Sequence, residues 1–387
     1  MESDVFESNH HGQIVRYYRK RQKWSRLKLA QELGVDESTI YRLEKRTTIR
    51  DLQKRYALVA LLGIPTSLLA VSEPPPLLKK SSSLVFNADH MAFLENQLTI
   101  HWDMYRTGGT LYVASGLDHF LGEIEKFVCE AKDTHWQERA RTICCFAYQL
   151  QGCIFSDLMR YHQAHRAYHT AIDIAKEADD CELLASALAR QGVTYIQQNL
   201  ATKALSCLNT ALELVHGQGL PALRGYILKA LSETYACLQQ QAQSMRTIEQ
   251  AERTLEAPDK VSERSHCRFN KASIFAQKGI NAVLLHDYER AIMLIDKSLV
   301  TYDPTIIRGR ARLLAQKAQA YYGLNDLWGC TTIAEEASRL AGAVGSMRNI
   351  ERLRALQQAL LQSRWRKEAS VIHLGIVLAE QECKLLE

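Results

Sequence analysis

Five stretches of this chain repeat one order of side-chain sizes at fixed offsets, and that recurrence restricts the fold more than any other feature. From Gly152 the series runs Phe155, Ala164, Tyr168 and Ala171, at +3, +12, +16 and +19. The same offsets from Gly192 give Tyr195, Ala204, Leu208 and Ala211, and from Ser232 give Tyr235, Ser244, Ile248 and Ala251. From Gly279 they give Ala282, Ala291, Ile295 and Ser298, and from Ala318 they give Tyr321, Cys330, Ala334 and Ala337. Small residues let two helix backbones approach, and the larger ones fill the space beside them. Apolar residues recur with a helical rather than an alternating period, and only 7 of 387 residues are proline. Both point to an all-α chain.

This ordering resembles tetratricopeptide repeats, in which each unit is a pair of antiparallel helices and the units stack into a superhelix. The stretch Asp287–Leu299 is especially similar to the second helix of such a unit. The anchors here lie 40, 40, 47 and 39 residues apart, longer than the family's period of about 34. The helices or loops are therefore longer, and the curvature departs from a regular superhelix. Residues 85–147 are expected to hold further helices, and Leu353–Glu387 a terminal cap. Such a stack has a concave groove lined by first helices. Gln149, Gln197, Lys229, Glu233, Arg312, Gln319 and Tyr322 are expected to line it, in the default position for a peptide or protein ligand.

The net charge of +5 conceals an uneven distribution. Residues 12–56 carry 13 Lys and Arg against 5 Asp and Glu, a net of +8, while the rest carries 35 against 38. One small basic module thus adjoins a nearly neutral body, and a local basic patch attracts phosphates far better than diffuse charge does.

Within that module the sequence predicts a first helix over 12–24. Ser25 caps a second helix at Arg26–Leu33, Gly34 makes the turn, and Asp36 caps a third at Glu37–Lys45. A fourth helix follows at Asp51–Leu62, then a break at Gly63, Ile64 and Pro65, and a short helix at Thr66–Ala70. The segment RLKLAQELGVDESTIYRLEK resembles the helix-turn-helix of Cro-like (XRE) repressors. Ala30 stands where the two helices touch, and Leu29, Leu33, Val35, Ile40 and Leu43 are the apolar contacts. Arg16 and Arg19 stand where that family often has arginines, and Glu44 where one of them finds its partner. The resemblance implies that the third helix enters the major groove with its N-terminal residues toward base edges. Glu37, Ser38, Tyr41 and Arg42 then face DNA, with Arg42 able to read guanine through two donors and Glu37 able to accept from cytosine. Ser38 and Thr39 suit phosphate. Lys28, Lys45 and Arg46 are expected phosphate clamps, which position without specifying. Arg26 occupies a place where the family frequently has Gln, so that contact is altered here.

No phosphate loop, HExxH, GxSxG or Cys–His nucleophile pattern occurs, so an enzyme is not expected. The 10 cysteines show no CxxC or zinc-ligand spacing, and most fall in apolar stripes. No cofactor or metal is expected. His162, His165 and His169 share one helical face but are read as a hydrated surface stripe. Gly108-Gly109 reads as a loop. With no apolar N-terminal core and no run of about 18 apolar residues, neither a signal segment nor a membrane span is expected. The cysteine usage suits a reducing cytoplasm.

The expected organisation is a helix-turn-helix domain at 12–70, a Pro/Ser-rich linker at 71–84 containing Pro74–Pro76, and a tetratricopeptide-like α-solenoid at 85–387. As a whole this resembles bacterial regulators that sense small peptides. That implies a dimeric, sequence-specific transcription regulator with an operator DNA and a peptide or protein signal as partners. Those sensors typically hold the peptide backbone with asparagines, and the expected groove residues include none. Two rival readings stand beside it. In one the repeats bind only partner proteins; in the other a repeat scaffold uses its basic head to dock on protein.

Overall fold

A computed structural model of the chain describes residues 10–33, 35–49, 51–64, 66–69, 88–130, 134–256, 264, 266–267 and 269–386. Gly34, Pro65, Ala70 and the 71–84 linker lie outside the described residues. The chain divides into two compact units, Met1–Val85 and Phe86–Glu387. Among the described residues both are helical, and no strand occurs.

The first unit contains α1 (His11–Arg21), α2 (Arg26–Leu33), α3 (Glu37–Glu44), α4 (Leu52–Leu62) and a short 3-10 turn, Thr66–Leu69. Helix α1 stops before Trp24 because Lys23 is left-handed, at φ 58°. The Lys23 N–H donates to the Lys20 carbonyl and the Trp24 N–H to the Arg19 carbonyl, folding the chain back on the helix end. Ser25 caps α2, accepting from the Lys28 N–H at 3.0 Å. Asp36 occupies the cap of α3 without a side-chain bond; only its carbonyl accepts, from Thr39 and Ile40. Asp51 caps α4 through the Lys54 N–H at 3.1 Å, and Gly63 closes it at φ 65°. Ile14, Val15, Leu29, Ala30, Ile40, Leu43, Leu58 and Leu62 make the buried core. At Gly12 the backbone of α1 meets the end of α3 so closely that a Cβ would sit 2.6 Å from the Glu44 carbonyl oxygen.

The second unit opens with α5 (Ala88–Thr107) and α6 (Thr110–Glu130), with Gly108 at φ 150° between them. Five hairpins follow: α7 (Thr134–Asp157) with α8 (Tyr161–Glu177), α9 (Cys181–Gln197) with α10 (Ala201–Leu214), α11 (Pro221–Cys237) with α12 (Gln241–Arg253), α13 (Lys271–Leu284) with α14 (Tyr288–Thr301), and α15 (Ile307–Gly323) with α16 (Leu327–Ala343). The expected cap is a full sixth hairpin that begins earlier, at α17 (Met347–Leu361) and α18 (Ala369–Leu386).

The predicted offsets are real contacts. A Cβ on Gly152 would lie 2.5 Å from the Tyr168 ring, one on Gly192 2.7 Å from Leu208, and one on Gly279 2.7 Å from Ile295. Each is the +16 residue of its own unit. The turn is also uniform. The residue at +7 is left-handed in all five units: Met159, Asn199, Gln239, His286 and Asn325, at φ 58–63°. The residue after it donates its N–H back to the carbonyl at +3, as in Arg160 to Phe155 and Leu200 to Tyr195. None of these five is glycine, so the closing bonds and the packing of the hairpin hold the strained residue in place.

The two ends of the body meet: α5 packs on α15, and α7 on α17. Arg308 on α15 ties them. Its guanidinium pairs with the Asp157 carboxylate at the end of α7, donates to Thr110 Oγ at the start of α6, and donates to the Tyr105 carbonyl of α5 at 2.9 Å. Ser346 donates to the other Asp157 oxygen at 2.9 Å, and Thr110 donates to the Val344 carbonyl at 2.6 Å. Asp157 has no exposed surface. Removing one partner of such a pair leaves a buried, unmatched charge. Asp157→Ala should therefore cost about 3–5 kcal/mol, seen as a lower urea midpoint followed by helical circular dichroism. An unchanged midpoint would show that the ends are held by other means.

Candidate functional site

Two places gather the functional side chains, one in each unit. In the first unit, α3 presents Glu37, Ser38, Tyr41, Arg42 and Lys45 to solvent, and Arg46 and Lys28 are also exposed. Thr39 is half-buried. The opposite side of α3 carries Ile40, Leu43 and Glu44 into the core.

Glu44 fixes this helix. Its side chain is 3% exposed and binds two arginines, Arg19 Nε on Oε1 at 2.6 Å and Arg26 Nε on Oε2 at 2.8 Å. Arg19 also donates to the Trp24 carbonyl at 2.7 Å. One carboxylate thus joins α1, α2 and α3. Burial pushes the Glu44 carboxyl up, but hydrogen bonds from Arg19 and then Arg26 outweigh it and hold it below its ordinary value. Arg26, expected at DNA, is held against Glu44 and stacks on Tyr41, 5.2 Å from the ring centre, with Lys45 4.4 Å from the same ring. Tyr41 is thereby fixed between two cations, and its hydroxyl is pulled down by the Lys45 contact. Lys28 sits 4.7 Å over Trp24.

In the second unit the first helices surround a concavity made of two adjoining cavities, of about 240 and 160 Å³. They share Val193, Gln197, Arg312 and Arg348. Of the residues expected in the groove, Gln197, Glu233, Arg312 and Gln319 line it. Gln149 does not: it has no exposed surface, and its Oε1 accepts from Arg190 at 2.8 Å. Tyr322 is half-buried against Trp365 of the terminal hairpin, with ring centres 6.1 Å apart. Lys229 lies 5.0 Å over the Tyr226 ring, and burial, with Arg312 adding, pulls it down to about 8. Arg312 donates to Glu233. Burial pushes the Glu233 carboxyl up, but Arg312 outweighs that and holds it below its ordinary value.

Sequence reasoning missed Arg348 and Arg352. They are one turn apart on α17, which begins before the expected cap and belongs to none of the five matched units. It also missed His266, which lies between α12 and α13. His266 stacks on Trp102 at 5.7 Å and is pulled down to about 4 by burial, with Arg190 and Arg106 adding. Of the three-histidine face, His162 and His169 are exposed, while His165 packs on the next hairpin, stacking on Tyr195 at 4.5 Å and pairing with Gln198 at 2.7 Å. Among the described residues no helix is long and apolar enough to cross a membrane.

Residues 15–69 match the Helix-turn-helix family, so the first unit carries a helix-turn-helix domain of the XRE type. The body is a stack of helical hairpins. No curated protein matches the chain in sequence. Three solved structures match the chain at low identity. A Rap protein complexed with competence and sporulation factor is 11% identical, with 76% of this chain and 88% of that chain covered and a TM-score of 0.49. BtubC (BKLC) from P. vanneervenii is 14% identical over 59% of this chain and 90% of that one, with a TM-score of 0.41. PlcR of Bacillus thuringiensis, in complex with the peptide PapR7 and DNA, is 12% identical over 92% and 100%, with a TM-score of 0.32.

The sign of the Glu44 shift sets a pH dependence. A carboxyl held below its unfolded value stabilises the fold above that value, about 4.5, and loses the contribution as pH falls through the lower folded value. Glu44→Gln should cost about 3 kcal/mol near neutral pH, since Arg19 is left buried without its counterion. The gap in melting temperature between the parent and this variant should shrink steadily below pH about 4.5. A gap that stays constant to pH 3 would show that the carboxylate charge is not what holds α3.

Proposed function

We propose that this chain is a sequence-specific DNA-binding transcription regulator, with α3 as its recognition helix and its repeat body as a dimerising sensor of a peptide signal. The observation that carries the DNA reading is the outward face of α3. Glu37, Ser38, Tyr41 and Arg42 project from a helix that Glu44 bolts to both its neighbours, in the most basic stretch of the chain. A rigid helix with exposed side chains near its N-terminus is what reading base edges in the major groove requires. Arg42 reads a base, and Tyr41, braced by Arg26 and Lys45, packs against the groove wall. Ser38, Thr39, Lys28, Lys45 and Arg46 meet phosphates. Arg26 acts through Tyr41 and Glu44 rather than on a base.

The concavity supports the sensor reading. It is lined from α5, α7, α8, α9, α11, α13, α15 and α17, so a ligand that fills it touches most of the body at once. A folded protein partner would need an open face instead, which disfavours the reading in which the repeats bind only proteins.

Selection of bound fragments from random DNA by the full chain should return a palindrome with half-sites about one helical turn apart. Arg42→Ala should weaken binding by about 1–3 kcal/mol and relax preference at one base pair per half-site. Affinity should fall by orders of magnitude between about 50 and 200 mM salt. Absence of DNA binding even at low salt would leave the scaffold reading in its place.

A further inference from the structure

The concavity is charged in one direction. Among the described residues lining it, Arg190, Arg312, Arg348 and Arg352 share a single lining carboxylate, Glu233, while Arg106 pairs with Asp103 at 3.0 Å. Glu233 is already engaged by Arg312. Asp157, beneath the floor, belongs to the closing pair with Arg308 and lies 3.5 Å from Arg348. The Nε–H of Arg348 is buried and meets no acceptor among the described residues. Arg352 donates to the neutral amide oxygen of Asn349 at 3.1 Å. Burial, then Arg312 and Arg348, pull Arg352 down to about 9. Crowded, half-desolvated guanidinium groups are costly, and an entering anion offsets that cost.

The same wall carries Gln197, Gln316 and Gln319. A primary amide both donates and accepts. The Oε1 of Gln316 is buried and receives no hydrogen bond among the described residues. A bare carboxylate or sulfate offers acceptors only and leaves this oxygen unmet, whereas hydrogen phosphate carries one O–H of its own. A peptide backbone N–H meets it.

We propose that the concavity takes a short acidic peptide, with a carboxylate seated on Arg348 and Arg352 and a backbone N–H donated to Gln316. The inference rests on the peptide-sensing reading above and narrows it to a chemical class.

Two pooled heptapeptide libraries test it on the full chain. One carries three Asp or Glu per peptide; the other replaces them with Asn or Gln. Inorganic phosphate at matched ionic strength is the third probe. The acidic pool should raise the melting temperature, because it binds the folded state alone. The amide pool should need an about 10- to 100-fold higher concentration for the same shift, the scale of one or two charge-assisted hydrogen bonds. Arg352→Gln should bring the two pools together, which separates the concavity from the basic N-terminal unit as the site of binding. Equal potency of the two pools on the parent protein overturns the acidic class and leaves peptide sensing intact. No shift with either pool overturns the sensor reading itself. A phosphate shift matching that of the acidic pool replaces the peptide with a free anion. If Arg352→Gln fails to fold, Gln316→Glu takes its place: a carboxylate on the same wall should weaken the acidic pool and spare the amide pool, and an unchanged acidic pool overturns the concavity as the site.

Discussion

The body depends on a single buried ion pair. Arg308 and Asp157 are 151 residues apart in sequence, and their meeting turns a row of hairpins into a structure with an inside. Without that tie, the neighbour-to-neighbour packing would still form the hairpins, since in the three units anchored by glycine the +16 residue presses on its own anchor. The concavity is a different matter. It needs α5 and α7 on one side and α15 and α17 on the other. Local packing therefore builds the units, and long-range contacts centred on Asp157 and Arg308 set how they enclose space.

The N-terminal unit uses the same device on a smaller scale. Glu44 is buried and shared by Arg19 and Arg26, so three helices converge on one carboxylate. In both units an acid with almost no access to water organises arginines from separate elements. The difference lies in what remains. Around Glu44 both arginines are engaged by the one carboxylate, and the outward face is left for a partner. Around Asp157 the arginines outnumber the acids, and the surplus faces the interior.

Much of this was legible in the residues. The offsets of small and large side chains located five hairpins, because helix packing is a nearest-neighbour matter that leaves its mark within about twenty residues. Helices α2 and α4 fell within a residue of expectation because Ser25 and Asp51 cap them and Gly63 ends the latter. The left-handed residue at +7 was not foreseen, since Met159, Gln239 and His286 carry no glycine signal and are held by tertiary packing. The interior arginines were hidden for another reason. Arg348 and Arg352 belong to the last hairpin, and what they face depends on the ends meeting, which no short-range pattern records. Gln149 shows the converse. Its register pointed inward correctly, but Arg190 covers it, and such covering is a property of three-dimensional neighbours.

The tie between Arg308 and Asp157 also decides how the body can respond to something held inside it. An untethered row of hairpins behaves as a spring: a few degrees at each junction spread a strain evenly, and its curvature varies without steps. A tethered row behaves as a clasp. Small adjustments are resisted along its whole length while the clasp is shut, and released together when it opens.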